Sequence, residues 1–117
     1  MYISNMQDNS QLFRGALTTV VLKLLSDNSR MYGYEITRNV KELTAGNIQL
    51  TEGALYPALH KLEAEGLIES SIEQVDNRAR KYYQLTSTGK KQVKFKLADF
   101  TVFITDIQQL LNLKPTL

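Results

Sequence analysis

Cysteine and tryptophan are absent from the 117 residues, and histidine occurs once, as His60. The missing cysteines exclude disulfides, thiolate zinc sites and cysteine nucleophiles together. With one histidine, no histidine metal cluster can form within a subunit, and a serine-histidine triad would have to be built on His60 alone. No apolar run approaches the eighteen or so residues that a membrane-spanning helix requires. The segment Met1–Asp8 also lacks the basic start and apolar stretch of a secretory signal, so a cytoplasmic protein is expected. The expectation is therefore not an enzyme, with neither cofactor nor metal. At this length one compact unit is expected rather than several domains.

Charge is present but unevenly placed. The net charge is only +2, yet Arg78, Arg80, Lys81, Lys90, Lys91, Lys94 and Lys96 fall within 19 residues that contain no acid. The other 98 residues carry seven bases against twelve acids. Such segregation points to a polyanion-facing surface, although a basic run can equally be a solvated face.

Residues 1–9 are polar and read as a flexible arm, with Asn9 or Ser10 able to cap a following helix. From Leu12 to Leu25 apolar residues recur at helical spacing as one wide face, ended by Ser26-Asp27-Asn28-Ser29. Tyr32, Ile36, Val40 and Leu43 then predict a second helix over 31–44. A third begins at Thr51, a plausible cap, and stops before Gly66, with Leu55, Leu59 and Leu62 as its stripe and Pro57 inside it. At 100° per residue its opposite face carries Gly53, Pro57, His60 and Ala64, flanked by Tyr56 and Lys61. That face is slim and nearly uncharged, a shape suited to close approach to another surface.

Beyond Gly66 the period shortens: Ile68, Ser70 and Ile72 alternate, Asp76-Asn77 supplies turn formers, and Lys81–Leu85 resumes as a second strand. The product is a two-stranded hairpin bearing Arg78, Arg80 and Lys81. One ring of Tyr82-Tyr83 is expected on the core and the other over the sheet. Thr86 or Ser87 caps a last helix whose apolar residues Val93, Leu97, Phe100, Ile104, Ile107 and Leu111 step by four and three until Pro115. Its four lysines read as a solvated outer face.

Helix, helix, helix, basic hairpin and helix describe a mainly α winged helix-turn-helix, three helices plus a two-stranded wing, followed by a long C-terminal dimerisation helix. The corresponding division is 1–9 arm, 10–87 DNA-binding domain and 88–117 dimerisation helix. The third helix would read base edges while wing cations hold phosphates. Thr51, Gly53, Tyr56, Pro57, His60, Lys61, Arg78, Arg80 and Lys81 are the candidate DNA-binding residues read this way, with Tyr56 open between a DNA contact and packing on its neighbour. A last helix with so wide a seam calls for a twin subunit, met by Val93, Leu97, Phe100, Ile104, Ile107 and Leu111, and by Leu17 and Val21 of the first helix. Phe95, Val102, Phe103 and Leu110 lie off that seam, either packed on the partner or lining a cavity with Phe100.

The motifs Tyr32-Gly33-Tyr34-Glu35-Ile36, Glu52-Gly53-Ala54-Leu55-Tyr56-Pro57-Ala58-Leu59, Leu62-Glu63-Ala64-Glu65-Gly66-Leu67-Ile68 and Arg80-Lys81-Tyr82-Tyr83-Gln84-Leu85-Thr86-Ser87-Thr88-Gly89 closely resemble the PadR family of bacterial transcriptional regulators. The resemblance runs in order from about residue 12 to 90. It implies a homodimeric repressor of a palindromic double-stranded DNA operator, relieved by a small aromatic effector. Position by position it implies that Tyr34 anchors the second helix to the DNA backbone, that Gly53, Tyr56 and Pro57 lie at the groove, and that Arg80-Lys81 hold the wing. The C-terminal part is a single helix, as in short-tailed members, so an effector pocket must be small or shared between subunits. Phe100 and Phe103 are the candidate effector contacts, in a chain that has no tryptophan for stacking. The alternative to DNA binding is a winged-helix module for protein-protein interaction.

Overall fold

The computed structural model describes residues 12–113. A helical turn at 12–14 precedes α1 (Leu17–Asp27), β1 (Met31–Tyr32), α2 (Gly33–Leu43), α3 (Glu52–Ala64), β2 (Ile68–Val75), β3 (Arg78–Leu85) and α4 (Ser87–Leu110). The expected arm, the Asn9 or Ser10 cap and Pro115 lie outside the described residues.

The first helix is shorter than its periodicity predicts. Gly15 and Ala16 form a turn in which the Ala16 N–H donates to the Phe13 carbonyl (2.9 Å), leaving Leu12 80% exposed. From Leu17 onward the apolar face is buried against α3 and α4. The second helix also starts late, at Gly33, because Met31 and Tyr32 pair with Tyr83 and Tyr82 as an edge strand. The wing is accordingly part of a three-stranded antiparallel sheet in the order β1-β3-β2, and not a two-stranded hairpin alone. Leu43, expected on the buried stripe, is exposed where α2 ends and Ala45 and Gly46 reverse the chain at positive φ.

The third helix follows its sequence signals closely. The Ala54 N–H donates to Thr51 Oγ1 (3.2 Å), Gly66 takes φ +75° past the C-terminus, and Leu55, Leu59 and Leu62 are fully buried. Asp76 and Asn77 both adopt positive φ, as a two-residue hairpin turn with the twist of its strands requires. Tyr83 is buried and Tyr82 half-buried.

One core joins α1, α2, α3, the base of the sheet and the start of α4. It overturns part of the expected subunit seam. Leu17, Val21 and Val93 are 2%, 0% and 6% exposed within a single chain, so they have no surface left to offer a partner. Leu97 also packs on this core. Periodicity had marked these faces as apolar without showing that α1 and α4 cover each other. Beyond Leu97 the helix leaves the domain, and Phe103, Ile104, Leu110 and Leu111 are exposed. The chain is a mainly helical winged helix-turn-helix with a hairpin wing and a long C-terminal helix.

Candidate nucleic-acid interface

The core decides which face of α3 remains outside. Burial of Leu55, Ala58, Leu59 and Leu62 turns Gly53, Pro57, His60, Lys61 and Ala64 outward, as the helical winding predicts. Pro57 has no N–H to give the Gly53 carbonyl, so that oxygen lacks its helical partner on the exposed side. Gly53, Pro57 and Lys61 share an open cleft of about 430 Å³ with Arg14 and Thr18. Arg14, which sequence reasoning passed over, thereby adds a base beside α3; only the fold brings it there.

Tyr56 is 40% exposed, and its hydroxyl reaches Gly33 at the head of α2, where a Cβ would lie 3.5 Å from it. It therefore packs on the neighbouring helix while keeping an outer edge. Beside it, a cleft of about 230 Å³ separates α3 from the wing, lined by Tyr32, Tyr34, Glu52, Tyr56, Arg80 and Lys81 among others. Tyr34, the expected backbone anchor, is exposed there. Thr51 commits its hydroxyl oxygen to the α3 cap.

Pairing parity splits the wing cations. Arg78 and Arg80 lie on the sheet face that carries Tyr82, whereas Lys81 lies on the face of Tyr83. Lys81 Nζ is 5.6 Å from the Tyr83 ring centre, and the Arg80 guanidinium is 4.5 Å from that of Tyr32. Two further arginines, absent from the candidate set, join this aromatic surface. Arg30 lies 4.2 Å from the Tyr82 ring centre and forms an ion pair with Glu73, and Arg38 lies 5.7 Å from that of Tyr34. Arg38, Lys41 and Tyr34 line another open cleft along α2. Spacing at i, i+4 could have paired Tyr34 with Arg38; nothing local announces Arg30, whose partners come from β2 and β3.

Burial, with the nearby Glu63 carboxylate and the Tyr56 hydroxyl, raises the Tyr83 hydroxyl above the usual tyrosine value. Ser70 Oγ donates to Glu63 Oε2 at 2.9 Å, tying α3 to β2 behind that ring. Among the described residues no group of three or more His, Asp or Glu is arranged to hold a metal, and no helix is long and apolar enough to cross a membrane.

Tyr56 on the flank of α3, the tyrosines of the junction and Arg80 and Lys81 of the wing thus meet at one cleft, while Gly53, Pro57 and Lys61 line a separate one with Arg14. Residues 21–94 match the PadR-like family of transcriptional regulators. The chain belongs to that family. The family is one of regulators, not enzymes. Over 77 residues, 66% of this chain and 68% of the relative, it is 38% identical to the transcriptional regulator Rv3488 of Mycobacterium tuberculosis. A transcriptional regulator from Clostridium thermocellum shares its fold with a TM-score of 0.75 at 31% identity, over 92% of this chain and 97% of the other. Bacillus subtilis PadR, whose structure was solved in complex with operator DNA, matches at TM-score 0.61 and 31% identity, over 70% of this chain and 45% of that longer one.

Proposed function

We propose that this PadR-family regulator is a cytoplasmic homodimeric repressor that binds a palindromic double-stranded DNA operator. The observation that carries the reading is the exposed, slim face of α3 set beside an arginine-bearing wing. The operator complex of the Bacillus subtilis relative supports it. In this reading α3 enters the major groove with Gly53, Tyr56, Pro57, His60 and Lys61 near base edges, Thr51 and Tyr34 near the backbone, and Arg78, Arg80 and Lys81 on phosphates or an adjacent minor groove. Phe100, Ile104, Ile107 and Leu111 supply the subunit seam, and two α3 helices then stand about one DNA turn, roughly 34–36 Å, apart. A small aromatic effector would meet Phe100 and Phe103 where the two subunits join.

The test is to incubate the protein with sheared genomic DNA at near-physiological salt, sequence what it retains, and measure affinity for that duplex against salt. An inverted repeat is expected. Changing Arg80 or Lys81 to Ala is expected to weaken binding to all sequences and reduce the salt slope by about one each. Tyr56→Ala or His60→Ala is expected to alter sequence preference instead. Retention of no duplex even at low salt would favour the protein-interaction module.

A further inference from the structure

Arg80 and Glu73 stand directly opposite each other across β2 and β3, the arrangement in which a cross-strand ion pair ordinarily neutralises both charges. Here Glu73 is taken by Arg30 instead. Arg30 comes from the opposite side of the sheet, crossing the Tyr82 ring on the way. Among the described residues Arg80 forms no ion pair. Its guanidinium lies against Tyr32, which in turn meets Tyr82 edge-on (5.5 Å between ring centres) and stacks on Tyr34 (6.4 Å). Arg80 is consequently half-buried, whereas Arg78, beside the turn, is exposed.

Stacking occupies the faces of a guanidinium and leaves its five N–H donors around the edge, where phosphate oxygens are bound. A flexible, hydrated wing arginine would have to be ordered when DNA arrives; one already resting on a ring has less freedom to lose. We propose that Tyr32 and Arg30 are positioning residues for DNA binding: Tyr32 holds the Arg80 guanidinium in place, and Arg30 occupies Glu73 so that the Arg80 charge stays available to a backbone phosphate. The inference rests on the DNA-binding reading above and specifies which side chains prepare that contact.

The test measures fluorescence anisotropy of the recovered duplex at several salt concentrations, with thermal melts confirming that each variant folds. Tyr32→Phe keeps the ring and should bind within about two-fold of the native protein, whereas Tyr32→Leu should lose about three- to five-fold. That loss should vanish in an Arg80→Ala background, because the two changes remove one interaction. Additive losses, or equal behaviour of the Phe and Leu variants, overturn the role of Tyr32.

A second arm avoids the aromatic cluster. Arg30→Met should weaken binding by releasing Glu73 to capture Arg80, and adding Glu73→Gln should restore it; binding unaffected by Arg30→Met overturns the role of Arg30. Ring-current shifts give a readout without DNA. The Arg80 side-chain protons should resonate upfield in the native protein and in Tyr32→Phe, and at ordinary positions in Tyr32→Leu. Unshifted protons in the native protein overturn the stacking itself. A native protein that retains no duplex removes the DNA-binding reading and this inference with it, while one that binds but is indifferent to these substitutions removes the inference alone.

Discussion

Gly89 shows how much one missing side chain can decide. It sits in the first turn of α4, where a Cβ would overlap the Leu67 carbonyl oxygen and lie 3.3 Å from Leu85 Cδ2. The obstacle is backbone, which cannot rotate aside, so relief requires moving α4 away from the loop between α3 and the wing. Gly89→Ala is accordingly expected to destabilise the fold by about 2–3 kcal/mol despite the better helix propensity of alanine. A thermal or urea melt unchanged from the native protein would show that α4 shifts at little cost. Tyr83 offers a second measurement at this scale. Its hydroxyl titrates higher folded than unfolded, because burial and Glu63 disfavour the anion. A group raised in the folded state contributes its stability fully below the unfolded value and loses it as pH climbs through the folded one. Stability should therefore hold through neutral pH and fall above about 10, the ordinary tyrosine value. Tyr83→Phe should remove that alkaline component, which chemical denaturation at pH 8 and pH 11 would read.

At the scale of elements, the junction between wing and α4 is fastened by Thr86. Its hydroxyl accepts from the Gly89 N–H (3.0 Å) and donates to the Gly66 carbonyl (2.6 Å), while its own N–H donates to the Leu67 carbonyl (3.0 Å). One residue thus caps α4 and ties it to the end of α3. Thr86→Ala is expected to cost about 2 kcal/mol, a cap plus a second hydrogen bond, and Thr86→Ser to recover most of it; equal melts for the two variants would deny the hydroxyl that role. This cap was legible in the sequence, as were the Thr51 cap, the Asp76-Asn77 turn and the leucine stripe of α3. Each is a local signal, a side chain answering amides three residues away or a backbone sign dictated by strand twist. What stayed hidden was non-local. Strand β1 is two residues long and exists through pairing with β3, so no alternation could reveal it. Likewise the exposed face of α3 followed from helical winding, but Arg14 and Arg30 came to the interface through tertiary packing. The apolar faces of α1 and early α4 were read correctly as faces, but Leu17, Val21 and Val93 were assigned to a partner although the protomer's own core covers them, because a periodic stripe does not say which surface covers it.

For the whole molecule, the distal half of α4 poses the largest unanswered burial. Val93 and Leu97 complete the core of the protomer, and then Phe103, Ile104, Leu110 and Leu111 stand 55%, 45%, 78% and 62% exposed. Each such side chain gains roughly 1.5–3 kcal/mol on full burial, so a twin helix covering this stripe would recover apolar burial that the protomer alone leaves unmade. A second copy is the partner that the proposed palindromic operator also calls for. Ile104→Asp places a charge in the middle of that stripe while leaving the protomer core untouched. Light scattering is expected to show the native protein at about twice the 13.3 kDa chain mass and the variant at the single-chain mass. Circular dichroism should show the same helix content in both. DNA affinity should then fall far more on a two-half-site duplex than on an isolated half-site, because the linkage between subunits is what makes the second contact intramolecular. An Ile104→Asp protein still at twice the chain mass would place the interface on another surface. A variant of single-chain mass that binds both duplexes as the native protein does would instead place the seam at Ile104 but remove the dimer's part in operator recognition.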